Sequence, residues 1–169
     1  MARTNVSTSL DTNGVVLTDP DSPSPPFHYT EDPDQPGWMR WEMADATRFN
    51  ATLGPIAVRI DDGIARVRMS PTRAHSNLRD HVHGGALLGF MDVAVFAAAR
   101  AFGIAAGGSS TIDLSAQFVA GAAADRPIEA RVELIRETGR LFFVRGLIVQ
   151  DGATCASFTC TARKPGGAQ

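Results

Sequence analysis

Between Gly84 and Phe102 the chain reads "GGALLGFMDVAVFAAARAF", with Asp92 and Arg100 as its two charged residues. A run of this length, rich in Ala, Leu, Phe and Met, is too long for one strand and predicts a helix of about 28 Å. It is apolar nearly all round, the pattern of a helix enclosed by protein. One long helix must therefore lie at the centre, and the rest of the chain must wrap it.

The wrapping elements follow from alternation. "IAVRI-DDG-IARVRM" predicts a hairpin turning at Asp61-Asp62-Gly63. After Gly107-Gly108 come four strand segments, "STIDLSAQFVA", "IEARVELIR", "LFFVRGLIVQ" and "ATCASFTCTAR". In the second, Ile128, Ala130, Val132 and Leu134 share a face. In the fourth, Ala156, Phe158, Cys160 and Ala162 do so. Short links at Glu137–Arg140 and Asp151-Gly152 imply antiparallel pairing. The predicted fold class is α+β, an antiparallel sheet curled around a long central helix at about 84–102. Residues 1–36 hold six of the ten prolines and read as a mostly irregular arm draped over a neighbouring subunit. Residues 37–165 form the single domain, opening with a helix at about 38–53 that sets Trp38 and Trp41 on one face.

At 169 residues the chain can bury one real core, and its net charge of −2 gives no basic field for nucleic acid or an anionic membrane. Cys155 and Cys160 lie an odd five residues apart along a strand, which disfavours a bridge, and no signal peptide is evident. A reduced, cytoplasmic protein is expected.

Two features carry chemistry. Gly84 and Gly85 open the helix and leave backbone N–H groups at its positive end, where a carbonyl oxygen could approach. Alone, the glycines also fit a plain loop-to-helix turn. Asp92 is an acid in an apolar helix, either a general base or half of an ion pair with Arg100 or a strand arginine. Eight residues separate Gly84 from Asp92, about 12 Å along the axis. One helix cannot bring both to the same carbon, but two antiparallel copies about a two-fold axis could.

The combination Asn77, His83, Gly84, Gly85 and Asp92, in the pattern N-x5-HGG-x6-D, resembles the hotdog-fold acyl-CoA thioesterases of the PaaI-like (phenylacetic acid degradation) family over roughly residues 50–165. The resemblance implies a hotdog fold that dimerises through its sheet, as a homodimer or dimer of dimers. It gives Asp92 the role of general base or nucleophile on an acyl-CoA thioester, and the Gly84 N–H that of polarising the carbonyl. Asn77 helps position the reacting groups, and Thr111 helps hold the attacking water, with Ser110 or Asp113 as register alternatives, while His83 braces the loop by hydrogen bonding to backbone. Coenzyme A contacts fall on Gly85, Ser110, Phe118, Val119 and Ala120, and on the turn with Arg136, Thr138, Gly139 and Arg140. No metal or organic cofactor is implied, coenzyme A being part of the substrate. The family commonly has glycine where this chain has Asp80.

Three other readings stand beside this one. His75, His81 and His83 with Asp80 could form a metal site, although no further ligand cluster accompanies them. A hotdog-fold enoyl-CoA hydratase or dehydratase could pair His83 with Asp92. A non-catalytic acyl-CoA-binding protein would keep the fold without the reaction. Phe90, Met91 and Phe96 are candidates for an acyl pocket or for plain core.

Overall fold

The computed structural model describes residues 9–10, 16–17, 27–104 and 107–165. Eight strands form one antiparallel sheet: β1 (Phe27–Glu31), β2 (Met39–Met43), β3 (Ile56–Asp61), β4 (Ile64–Met69), β5 (Ser110–Phe118), β6 (Ile128–Glu137), β7 (Leu141–Gln150) and β8 (Ala153–Arg163). Their order across the sheet is β1-β2-β3-β4-β6-β7-β8-β5. Ser9–Leu10 and Val16–Leu17 pair separately as a two-residue ladder. The helix α1 (Gly84–Ala101) packs across the concave face, as the apolar run predicts.

The two Asp-Gly turns form as expected. Asp62 and Gly63 adopt φ of 49° and 76°, and Asp151 and Gly152 adopt 49° and 83°. These left-handed pairs match the twist of the hairpins they join. The inward residues of β6 and β8 share a face as the alternation predicts, and Ala130, Val132, Ala156 and Ala162 are fully buried. Phe90 and Met91 are also fully enclosed, so both are core rather than pocket. Truncating Phe90 to Ala should cost about 3–5 kcal/mol.

The helix expected over 38–53 does not form. Residues 39–43 are strand β2, and only Phe49–Leu53 is helical, as a short 3-10 turn ended by Gly54. The spacing that would place Trp38 and Trp41 together on a helix places them on opposite sides of a sheet. Trp41 faces the core against Phe27, their ring centroids 5.4 Å apart. Trp38 lies on the outer side beneath the guanidinium groups of Arg59 and Arg68, at 4.7 and 4.1 Å. Each tryptophan thus gains a partner that a solvent-flanked helix would not supply.

The irregular arm also ends earlier than expected. Phe27–Glu31 pairs with β2 along its whole length, Tyr29 opposite Trp41. Asp32 then closes the β1–β2 turn, accepting from the Asp34 N–H and the Gln35 side-chain amide, both at 3.0 Å. Most of residues 1–26, where the rest of the predicted arm falls, lies outside the described residues.

Candidate active site

The start of α1 is held by its own N-cap. His83 Nδ1 accepts from the Gly85 N–H at 2.9 Å, and the His83 N–H donates to the His75 carbonyl at 2.7 Å. An accepting Nδ1 leaves the imidazole proton on Nε2. The Gly84 N–H finds no acceptor among the described residues. Beside it lies Phe118, whose ring would sit 3.6 Å from a Cβ at position 84. The helix start therefore offers an unpaired donor with an aromatic wall.

Asn77 shapes the loop leading in. Its side-chain oxygen accepts from the backbone N–H groups of Arg79 and His81, at 2.8 and 3.3 Å. Three residues on, Asp80 has φ of 55°. Left-handed backbone suits glycine and is tolerated by aspartate, which explains both the residue common in the family and the one found here. The Asp80 carboxylate is 84% exposed and faces Arg73 at 3.9 Å, so it points to solvent.

Asp92 is not enclosed as the all-apolar run suggested. Gly85, Leu88, Gly89, Asp92 and Phe96 form a partly open stripe on α1, within an arc of about 100°. The Asp92 carboxylate accepts the Thr111 hydroxyl at 2.5 Å and has no ion-pair partner among the described residues. Arg100, offered above as a structural partner, instead packs over Tyr29 and Phe27 at 4.6 and 5.2 Å. Beneath Asp92 the Cys160 thiol is pushed up to about 12, by burial first and then by the charges of Asp92 and Asp113. Cys155 and Cys160 are both free.

Thr111 reaches Asp92 because β5 carries a bulge. Leu114 pairs with Cys160 and Asp113 with Thr161, but Ala162 pairs with Thr111, leaving Ile112 unpaired. Simple alternation from Leu114 would turn Ile112 inward and Thr111 outward. The surplus residue reverses them. Ser110 pairs with Arg163, on the other face, and Asp113 is likewise outward.

The predicted residues fall into two clusters within one protomer. Gly84 meets Phe118 at one end of β5, and Asp92 meets Thr111 at the other, about 20 Å away along the strand. The Arg136–Arg140 hairpin lies at the Thr111 end, because Phe142 and Thr111 both pair with Ala162. Arg136 and Arg140 are exposed, and Thr138 braces the turn by accepting from the Leu141 N–H at 2.9 Å. Val119 and Ala120 lie at the Phe118 end, with their N–H groups bound to the Cys155 carbonyl at 2.8 and 3.0 Å. His75, considered above for metal, is tied to Thr72 and to the Thr52 carbonyl. Among the described residues no three His, Cys, Asp or Glu side chains gather as a metal set. Sequence reasoning missed Phe49, whose ring covers Gly89 one turn before Asp92. A glycine inside an apolar helix is the signal that could have found it.

Comparison with known proteins bears on the fold and the family. Residues 80–156 match the family model of the Thioesterase superfamily. No curated protein matches the chain. A phenylacetic acid degradation-related putative thioesterase from Ralstonia eutropha is similar in structure, with 28% identity and a TM-score of 0.59. The match covers 66% of this chain and 86% of that one. The E. coli PaaI protein of the phenylacetic acid degradation operon gives 25% identity and a TM-score of 0.61, over 74% and 88% of the two chains. A hypothetical thioesterase protein from Streptococcus pneumoniae, solved with coenzyme A, shares the fold at 17% identity and a TM-score of 0.56, over 66% and 90%. The matched region, the single helix in its antiparallel sheet and the similarity to phenylacetic acid degradation proteins together support a PaaI-like hotdog-fold thioesterase, a thioester hydrolase.

Proposed function

We propose that the chain hydrolyses acyl-CoA thioesters at a site completed across a homodimer. The observation that carries this is the separation of two half-sites: a hydroxyl-bound carboxylate at Asp92 and an unpaired N–H at Gly84, at opposite ends of β5. Antiparallel apposition of two copies brings each Asp92 to the other copy's helix start. β5 is an edge strand with Ile112 at 57% and Phe118 at 52% exposure, which supports pairing of the sheets along it. That a hypothetical thioesterase protein of this fold was solved with coenzyme A supports the substrate class.

In this mechanism the thioester carbonyl oxygen accepts from Gly84 N–H, which strengthens as negative charge develops on it. In one route Asp92 takes a proton from water as the water oxygen attacks the carbonyl carbon, the carbon–sulfur bond breaks, and the departing thiolate takes that proton from Asp92. In the other the carboxylate attacks directly and expels the thiolate to leave an acyl-aspartate anhydride, which water cleaves to free acid and carboxylate, giving up the proton that the thiolate takes. Thr111 holds Asp92 in one rotamer, and Asn77 and His83 hold the loop and helix start. The hydratase reading has less support, because His83 Nδ1 is occupied by the Gly85 N–H.

Thiol release from a panel of acyl-CoA esters tests the proposal. Asp92→Asn should lose about 10²-fold or more in kcat with its melting temperature kept, the scale for removing a base. Hydration of crotonyl-CoA without thiol release would overturn it. Binding of acyl-CoA with no turnover would point to the non-catalytic reading.

A further inference from the structure

The helix stripe that carries Asp92 has two flanks. Thr111 stands on one. On the other stands Phe49, at the start of the 3-10 turn Phe49–Leu53 that packs against α1. The Phe49 ring lies on Gly89 so closely that a Cβ there would come within 2.8 Å of it. Yet the side chain is 61% exposed, leaving an aromatic surface open to solvent one helical turn from the carboxylate. The backbone that carries this ring is anchored. Leu53 is 1% exposed in the core, the Thr52 hydroxyl donates to the Phe49 carbonyl at 2.6 Å, and His75 Nε2 binds the Thr52 carbonyl at 2.7 Å.

Position around the helix says what this surface faces. Gly89 and Phe96 are rotated by about 40–100° from Leu88 and Asp92, away from the flank where Thr111 and the β5 edge lie. A second copy apposed along that edge covers the Leu88–Asp92 side and leaves the strip from Phe49 over Gly89 to Phe96. Phe96 is itself half-buried, its ring set edge-on to Phe142 at 6.4 Å. An ester whose carbonyl reaches Asp92 must send its acyl group somewhere, and this apolar strip begins beside that carboxylate.

We propose that Phe49 forms the wall that limits the length of the acyl group, a specificity-determining role that rests on the thioesterase reading. The occupant of the strip is then the substrate's acyl chain, packed on an aromatic face. Apolar contacts discriminate by chain length, each methylene changing transition-state binding by a measurable factor.

The test compares Phe49→Ala and Phe49→Trp with the parent on straight-chain acyl-CoA esters from acetyl to dodecanoyl, reading kcat/KM for each. Phe49→Ala should raise the ratio of long-chain to short-chain kcat/KM by about tenfold or more, and Phe49→Trp should lower it. The exposure of Phe49 means both variants should fold, which melting temperatures check. A profile that moves in parallel at every length, or not at all, overturns the wall while leaving the hydrolase reading intact. A shift in the dimer dissociation midpoint without a change in the ratio means a second copy covers Phe49, and also overturns it. A parent protein releasing no thiol from any ester overturns both readings together.

Discussion

Two carboxylates in this molecule, Glu129 on the outer face of the sheet and Asp92 on the open stripe of the helix, sit in opposite kinds of company. Glu129 is 9% exposed and gathers three guanidinium groups: Arg68 at 2.9 Å, Arg131 at 3.0 Å and Arg66 at 3.9 Å. Burial pushes its carboxyl upward, but the hydrogen bonds from Arg131 and Arg68 and the charges of Arg68 and Arg66 outweigh burial and hold it below the usual range. Among the described residues Asp92 has one hydroxyl donor and no cation. A carboxylate fully engaged with cations is structural, while one held by a single neutral donor keeps oxygen lone pairs for chemistry. Burial alone would single out Glu129, the more enclosed of the two, and it is the partners that mark Asp92 as the acid free for chemistry.

The sharpest way to break this comparison is to neutralise each acid in turn. Asp92→Asn should remove about 10²-fold or more of kcat and barely move the melting temperature. Glu129→Gln should do the reverse, costing about 2 kcal/mol of stability while turnover stays within a factor of about two. Equal loss of activity in both would abolish the distinction.

Next in size is the donor itself. Thr111→Val removes the hydroxyl from Asp92 and should lower kcat about tenfold, with Thr111→Ser restoring most of it. Unchanged kcat in the valine variant would show that the bond to Asp92 does not serve the reaction.

The smallest effect is on pH dependence. Because the folded Glu129 is held below its unfolded value, its contribution is fully present above the ordinary glutamate range. It is lost as pH falls through the lowered folded value. The stability gap between the parent and Glu129→Gln should therefore be widest near neutrality and shrink in acid, as seen by urea unfolding from pH 7 to pH 3. A constant gap would mean that the arginine cluster does not act through the charge of Glu129.

Much of this architecture is legible in the residues. The helix at 84–101, both Asp-Gly turns and the alternating faces of β6 and β8 follow from period and turn chemistry, which are local. Trp38 and Trp41 were misread because a spacing of three fits one helical face and also two sheet faces. What decides is the pairing with β1 and β3, and no local pattern shows that. At the site, Asp92 and Gly84 stand out as an acid in an apolar run and a glycine pair at a helix start. For Thr111 the family resemblance supplies the role and register along the strand supplies the position, although alternation from Leu114 points the other way until the bulge at Ile112 is seen. Phe49 was invisible because it meets Gly89 across forty residues of chain, and only the fold brings them into contact.

That unpaired residue in β5 has one more consequence. Ser110 and Thr111 resume the ladder in phase on the far side of Ile112. Removing Ile112 would shorten the chain by a link without rotating the hydroxyl away from its acid. The strand is thus a place where gene-level insertions and deletions of a single codon can come and go while the chemistry keeps its footing, and a chain lacking Ile112 should still turn over substrate.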